Sequence, residues 1–175
     1  ISAEHLVDSR RELGHAGILM IDDSGVTKYF EYGRYDRERR GEVRQVTIPN
    51  LRFNHRGELT EESLRPVLKR LSDRSGQGGR VLAAYLTRVD YGQMYRFARQ
   101  AQKEWPEYHW YHNNCTTFAD AVLRAGKPRY APLVTTITAP KNLVVDYRAK
   151  GAGEVFFDPN TNLVEVKPGP WWDIF

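Results

Sequence analysis

The chain has 175 residues, with 26 Lys and Arg against 22 Asp and Glu for a net charge of +4, and a single cysteine. That length suits one domain spanning residues 1–175 with a buried core, and a lone cysteine excludes an internal disulfide framework while leaving the redox compartment open. The densest basic run, Arg34 to Arg44, interleaves Asp36, Glu38 and Glu42 and reads as a solvated mixed-charge loop, so nucleic acid is not an expected partner; nor does any stretch reach the roughly 20 apolar residues of an integral membrane segment.

Ser2 to Leu13 is polar and mixed, and reads as a short helix capped by Ser2 and anchored by Leu6 and Leu13. His15 to Ile21 is apolar, Asp22-Asp23-Ser24-Gly25 supplies turn chemistry, and Val26 to Tyr35 is rich in aromatic and β-branched residues; together they predict a hairpin. Glu42 to Ile48 alternates as a third strand, ended by Pro49-Asn50. Thr60 caps a helix from Glu61 to about Ser72, with Leu64, Val67, Leu68 and Leu71 at helical spacing and Pro66 near its start. Val81 to Leu86 is short and apolar, a buried strand.

Asp90 then caps a helix through Glu104, with Met94, Phe97, Ala98 and Ala101 on its inward stripe. Asn114 caps a second helix that runs to Ala125 and is stopped by Gly126 and Pro128. Leu133 to Asp146 and Glu154 to Val166 carry strand-like runs. The aromatic tail, with Trp171, Trp172 and Phe175, reads as a segment folded back on the body.

Cys115 is the residue in this chain best placed for nucleophilic chemistry. A thiol attacks as thiolate, and a helix N-terminus and a nearby histidine both favour that form. Cys115 has the first by position, as the first residue after the Asn114 cap. His15, at the start of the first long strand, is the candidate base, and Glu31 on the pairing strand is the carboxylate that would hold its other ring nitrogen. A register shift of one residue flips strand faces, which leaves Tyr32 and Arg34 as alternatives to Glu31. Asn114, Tyr111 and His112, just before the thiol, are candidates for the substrate and oxyanion pocket. His109, His112 and Cys115 recur every three residues, as zinc ligands do, but an extended segment joined to a helix does not favour that site, and no metal is expected.

Gly14-His15-Ala16 on a first strand and Asn114-Cys115-Thr116-Thr117-Phe118-Ala119 on a late helix resemble the circularly permuted NlpC-like branch of the papain-fold cysteine hydrolases, in which histidine precedes cysteine. Tyr29-Phe30-Glu31-Tyr32-Gly33-Arg34-Tyr35 is similar to the second strand of bacterial members, some of them antibacterial effectors exported by type VI secretion. The resemblance spans residues 14 to 125. It implies an α+β fold, papain-like, in which a helix carrying the cysteine packs on an antiparallel sheet carrying the histidine. It also implies amide-bond cleavage through a thioester, in many members on peptidoglycan stem peptides, without a cofactor. By position Cys115 carries over as nucleophile, His15 as base and Glu31 as third residue.

An exported effector of this kind would act in the target-cell periplasm, with an immunity protein and the secretion apparatus as partners. Two other readings share features of the chain. Lecithin-retinol-acyltransferase-like thiol acyltransferases or phospholipases have the same His-then-Cys order, and Trp171, Trp172 and Phe175 would suit a membrane interface. A non-catalytic binding module would keep the cleft but not need Cys115 and His15.

Overall fold

The computed structural model describes residues 2–4, 14–55, 59–75, 78–129, 131–132 and 139–169. Seven strands lie in chain order as β1 (Ser2–Glu4), β2 (His15–Ile21), β3 (Thr27–Gly33), β4 (Glu42–Val46), β5 (Arg80–Tyr85), β6 (Gly153–Asp158) and β7 (Leu163–Lys167). Four helices accompany them: α1 (Glu61–Arg74), α2 (Tyr91–Glu104), α3 (Cys115–Ala125) and α4 (Pro140–Ala149). The sheet order is β4-β3-β2-β1-β5-β6-β7, and every neighbouring pair is antiparallel. Three-residue β1 joins the β4-β3-β2 half to the β5-β6-β7 half.

Local chemistry sets the helix starts. Thr60 and Asp90 each present a side-chain oxygen to the third backbone N–H of the helix that follows, Ser63 and Gln93 respectively. Pro66 sits on the exposed side of α1, where the backbone bond it forfeits is tolerated. The β2–β3 turn closes on Asp22, whose Oδ1 accepts from the backbone of Ser24 and Val26 at 2.9 Å each.

Side chains alternate across the sheet, and so does the core. Phe30 and Tyr32 of β3 join Ala16, Ile18 and Met20 of β2 on one face, packed against Met94 and Ala98 of α2 and Phe118 and Val122 of α3. Tyr29 turns to the opposite face with Val81, Ala83, Val155 and Phe157, under Leu64, Val67, Leu68 and Leu71 of α1. Burying one such aliphatic or aromatic side chain contributes about 1.5–3 kcal/mol. Two packed faces therefore hold β2 and β3 between them.

Three expectations are corrected here. Ser2–Glu4 is a strand and not the start of a helix, because it pairs with both β2 and β5; the remainder of that predicted helix lies outside the described residues. Within the predicted strand Leu133 to Asp146, residues 140–146 are helical: Pro140 is pre-set for a first helical position, and Leu143, Val144 and Tyr147 form the buried stripe, while 133–138 lie outside the described residues. Arg44, read both as the end of the mixed-charge loop and as part of the Glu42–Ile48 strand, belongs to the strand. It lies on β4, opposite Glu31. The aromatic tail from Pro170 onward also falls outside the described residues.

Candidate active site

Cys115 opens α3, and its cap is doubly secured. Asn114 Oδ1 accepts from the N–H groups of Thr116 at 2.9 Å and Thr117 at 3.1 Å, while the Asn114 N–H donates to Thr117 Oγ1 at 2.8 Å. Asn114 Nδ2 donates to the Trp110 carbonyl at 2.8 Å. The Asn114 side chain thus serves the helix start. With those bonds made, the Cys115 N–H is the donor of the first turn that no described group takes.

The thiol is 7% exposed and electrostatically coupled to the His15 imidazole. Burial alone would raise its pKa; the His15 hydrogen bond and charge, the Ala16 N–H and the Thr116 hydroxyl outweigh it and hold the thiol below its ordinary value. Burial likewise opposes a charged His15, yet bonds to Cys115 and Glu31 push its pKa up to about 9. Each group thus favours the charged form of the other, the imidazolium the thiolate and the thiolate the imidazolium.

His15 Nε2 lies 3.1 Å from Glu31 Oε2 and 2.9 Å from the Tyr35 hydroxyl, which leaves Nδ1 for the thiol. Gly17 is the direct partner of Glu31, so Glu31 reaches His15 across the diagonal of the β2–β3 ladder. Glu31 is fully buried, and burial would raise its pKa; His15 first, and Arg44 with it, bring it down to about 2. Arg44 Nε sits 2.5 Å from Glu31 Oε1. Ser75 lies near the same carboxylate, but its buried hydroxyl completes no well-formed hydrogen bond among the described residues, so it is a neighbour and not a partner.

Of Glu31, Tyr32 and Arg34, the register brings Glu31 beside His15. Tyr32 points to the other face and donates to the Pro106 carbonyl at 2.8 Å, and exposed Arg34 lies over the Tyr108 ring. Tyr111 and His112 are exposed on the turn closed by the His109–Asn113 bridge; Tyr111 packs on Trp110, and His112 stacks on His109 with ring centroids 3.7 Å apart. Their contacts are with this turn and not with the thiol. Among the described residues no group of three His, Cys, Asp or Glu side chains converges as a metal site.

Sequence reasoning missed Tyr35 and Arg44. A signal existed in Gly33, since a Cβ there would stand 2.7 Å from the Tyr35 ring, so the glycine clears the path by which that ring folds back toward His15. An apolar cavity of about 450 Å3 opens elsewhere, between β2, β5, α1, α3 and α4, lined by Ile18, Met20, Leu64, Leu68, Ala83 and Leu143. Neither Cys115 nor His15 lines it. Among the described residues no helix is long and apolar enough to cross a membrane.

The family model described as type VI secretion system effector TseH-like matches residues 5–130. Among solved structures, the crystal structure of the type VI secretion system effector TseH superposes with a TM-score of 0.75 at 29% identity, over 95% of this chain and 94% of that one. Curated proteins give no match. The α+β fold is the papain-like, permuted NlpC-type arrangement expected from the order of His15 and Cys115. The chain belongs to the TseH-like family of type VI secretion system effectors, and is in that sense a secreted effector.

Proposed function

We propose that this chain, residues 1–175 as one domain, is a cysteine amidase or endopeptidase that cleaves an amide bond of peptidoglycan stem peptides in the target-cell periplasm. One observation carries the reading: a buried thiol at a helix start is electrostatically coupled to an imidazole whose Nε2 is held by a buried carboxylate. In the proposed reaction His15 Nδ1 holds the thiol proton while Cys115 Sγ attacks the amide carbonyl. The Cys115 N–H supports the oxyanion. His15 then gives its proton to the leaving amine, the thioester remains on Sγ, and His15 activates water to release the acid and free thiol. No metal or redox group enters these steps.

An effector acting in a neighbouring cell requires its producer to be protected, so an immunity protein that covers the cleft is the partner this reading implies. The net charge of +4 is compatible with an anionic wall. The lipid-directed alternative is less favoured, because the apolar cavity suited to an acyl chain is not lined by the thiol. Retention of the His15–Cys115 pair speaks against a binding module.

The test is to incubate the protein and its Cys115→Ala variant with peptidoglycan sacculi and, separately, with phospholipid vesicles, and to identify products by mass spectrometry. Stem-peptide fragments produced only by the parent support the proposal. Released fatty acid or a Cys115 acyl-enzyme would select the lipid reading. Absence of either product, with Cys115 inert to iodoacetamide near neutral pH, would remove both.

A further inference from the structure

Glu31, His15, Tyr35 and Arg44 form a closed ring of contacts. Arg44 Nε meets Glu31 Oε1 at 2.5 Å, Glu31 Oε2 meets His15 Nε2 at 3.1 Å, and His15 Nε2 meets the Tyr35 hydroxyl at 2.9 Å. The fourth side is a stack, with the Arg44 guanidinium carbon 3.5 Å above the centre of the Tyr35 ring. The Tyr35 ring in turn meets the His15 ring edge-on, at 76° and 6.1 Å between centroids.

We infer that Arg44 and Tyr35 are positioning residues for His15, acting as a clamp that fixes the imidazole plane with Nε2–H turned to Glu31 and Tyr35 and Nδ1 turned to the thiol. The inference rests on the hydrolase reading above. Arg44 alone touches both arms of the clamp: its Nε pairs with the carboxylate, and its flat face presses the phenol toward the imidazole. Strand register supplies the geometry, since Arg44 is the direct partner of Glu31 on β4, and Gly33 leaves the space that the Tyr35 ring occupies. Glu31 is fully buried while Arg44 and Tyr35 are each about one-third exposed, so the stack also screens the carboxylate from water.

The two arms have separable chemistry. The Tyr35 hydroxyl can accept from His15 Nε2–H, which keeps that nitrogen turned to the clamp and Nδ1 turned toward the thiol. Arginine is suited to its place because a planar guanidinium can pair with a carboxylate edge-on and stack on an aromatic face at once; an ammonium has no face to stack.

The variants R44Q, R44K and Y35F test this, with two readouts on the folded protein: the pH profile of Cys115 alkylation by iodoacetamide, and the low-field Nε2–H proton resonance of His15. R44Q is expected to slow alkylation at pH 7 on the order of tenfold, the scale of a misplaced catalytic group, and to lose the protected Nε2–H signal. R44K keeps the charge without the stack and recovers only part of the rate. Y35F gives a smaller loss with a broadened signal.

Parent-like profiles and an unchanged Nε2–H signal in R44Q and Y35F would overturn the clamp, and full rescue by R44K would overturn the stacking arm. Should R44Q fail to fold, R44K and Y35F decide the matter. A parent thiol inert to iodoacetamide would count against the hydrolase reading instead, and the His15 resonance in the three variants would still decide whether the clamp exists.

Discussion

Gly17 lies directly beneath the phenol of Tyr29, so that a Cβ at position 17 would stand 2.2 Å from the hydroxyl oxygen. Tyr29 is 1% exposed and has nowhere to retreat, being enclosed by α1 and the sheet. Gly17→Ala is therefore expected to destabilise the fold by about 1–3 kcal/mol through overpacking. Because Gly17 pairs with Glu31, the displaced ring also presses on the carboxylate. Gly92→Ala is the contrast: its new methyl would meet Asp90 Oδ1 at 3.4 Å, an ordinary contact, on the first turn of α2. It should stabilise by up to about 1 kcal/mol. Urea midpoints of the two variants check the pair, and an unchanged midpoint for Gly17→Ala would refute the packing argument.

The Asn114 cap links stability to thiol chemistry. Asn114→Ala removes the acceptor for two first-turn N–H groups and should cost about 1–2 kcal/mol. Asn114→Asp keeps an acceptor there but sets an anion beside Cys115. An anion opposes a thiolate, so the alkylation onset should move to higher pH, while loss of the donor to the Trp110 carbonyl lowers the midpoint as well. A lower onset in the aspartate variant would contradict the placement of Asn114 against the thiol.

On the far side of α3, Asp120 accepts from the Tyr147 hydroxyl of α4 at 2.8 Å and from Arg124 at 2.6 Å. All of this lies away from His15. Tyr147→Phe leaves one buried carboxylate oxygen short of a donor and should cost about 1–3 kcal/mol while Cys115 alkylation keeps the parent rate. Differential scanning calorimetry and the iodoacetamide assay separate the two effects; a large loss of thiol reactivity would show that α4 bears on the site.

Helix starts were legible because capping is local: Thr60, Asp90 and Asn114 each satisfy donors within three residues of themselves. His15 and Cys115 were legible for a related reason, as each begins an element whose type its neighbours announce. What was hidden is non-local. Nothing near Ser2–Glu4 says that two distant strands will pair with it, and the Leu143-Val144-Val145 run reads as β until Tyr147 is seen one turn on. Arg44 lay on the predicted third strand, but only the β3–β4 register shows that it faces Glu31.

The site also dictates how stability and activity follow pH. Glu31 titrates near 2 in the fold against an ordinary value of 4.5, so its contribution is present above about 4.5 and is lost as pH falls from there toward 2. His15 is raised from 6.5 to about 9, so its contribution is complete below about 6.5 and is lost as pH rises through 9. Urea midpoints should accordingly form a plateau between these limits and fall on the acid side, with Glu31→Gln flattening the fall between 4.5 and 2. Turnover, on the proposed hydrolase reading, has different limits. Its acid limb reports formation of the Cys115 thiolate below the ordinary thiol value, and its alkaline limb lies near 9, where His15 loses the proton that the leaving amine needs. An acid limb of stability identical in Glu31→Gln would mean that the carboxylate is not the group whose charge the buried site protects.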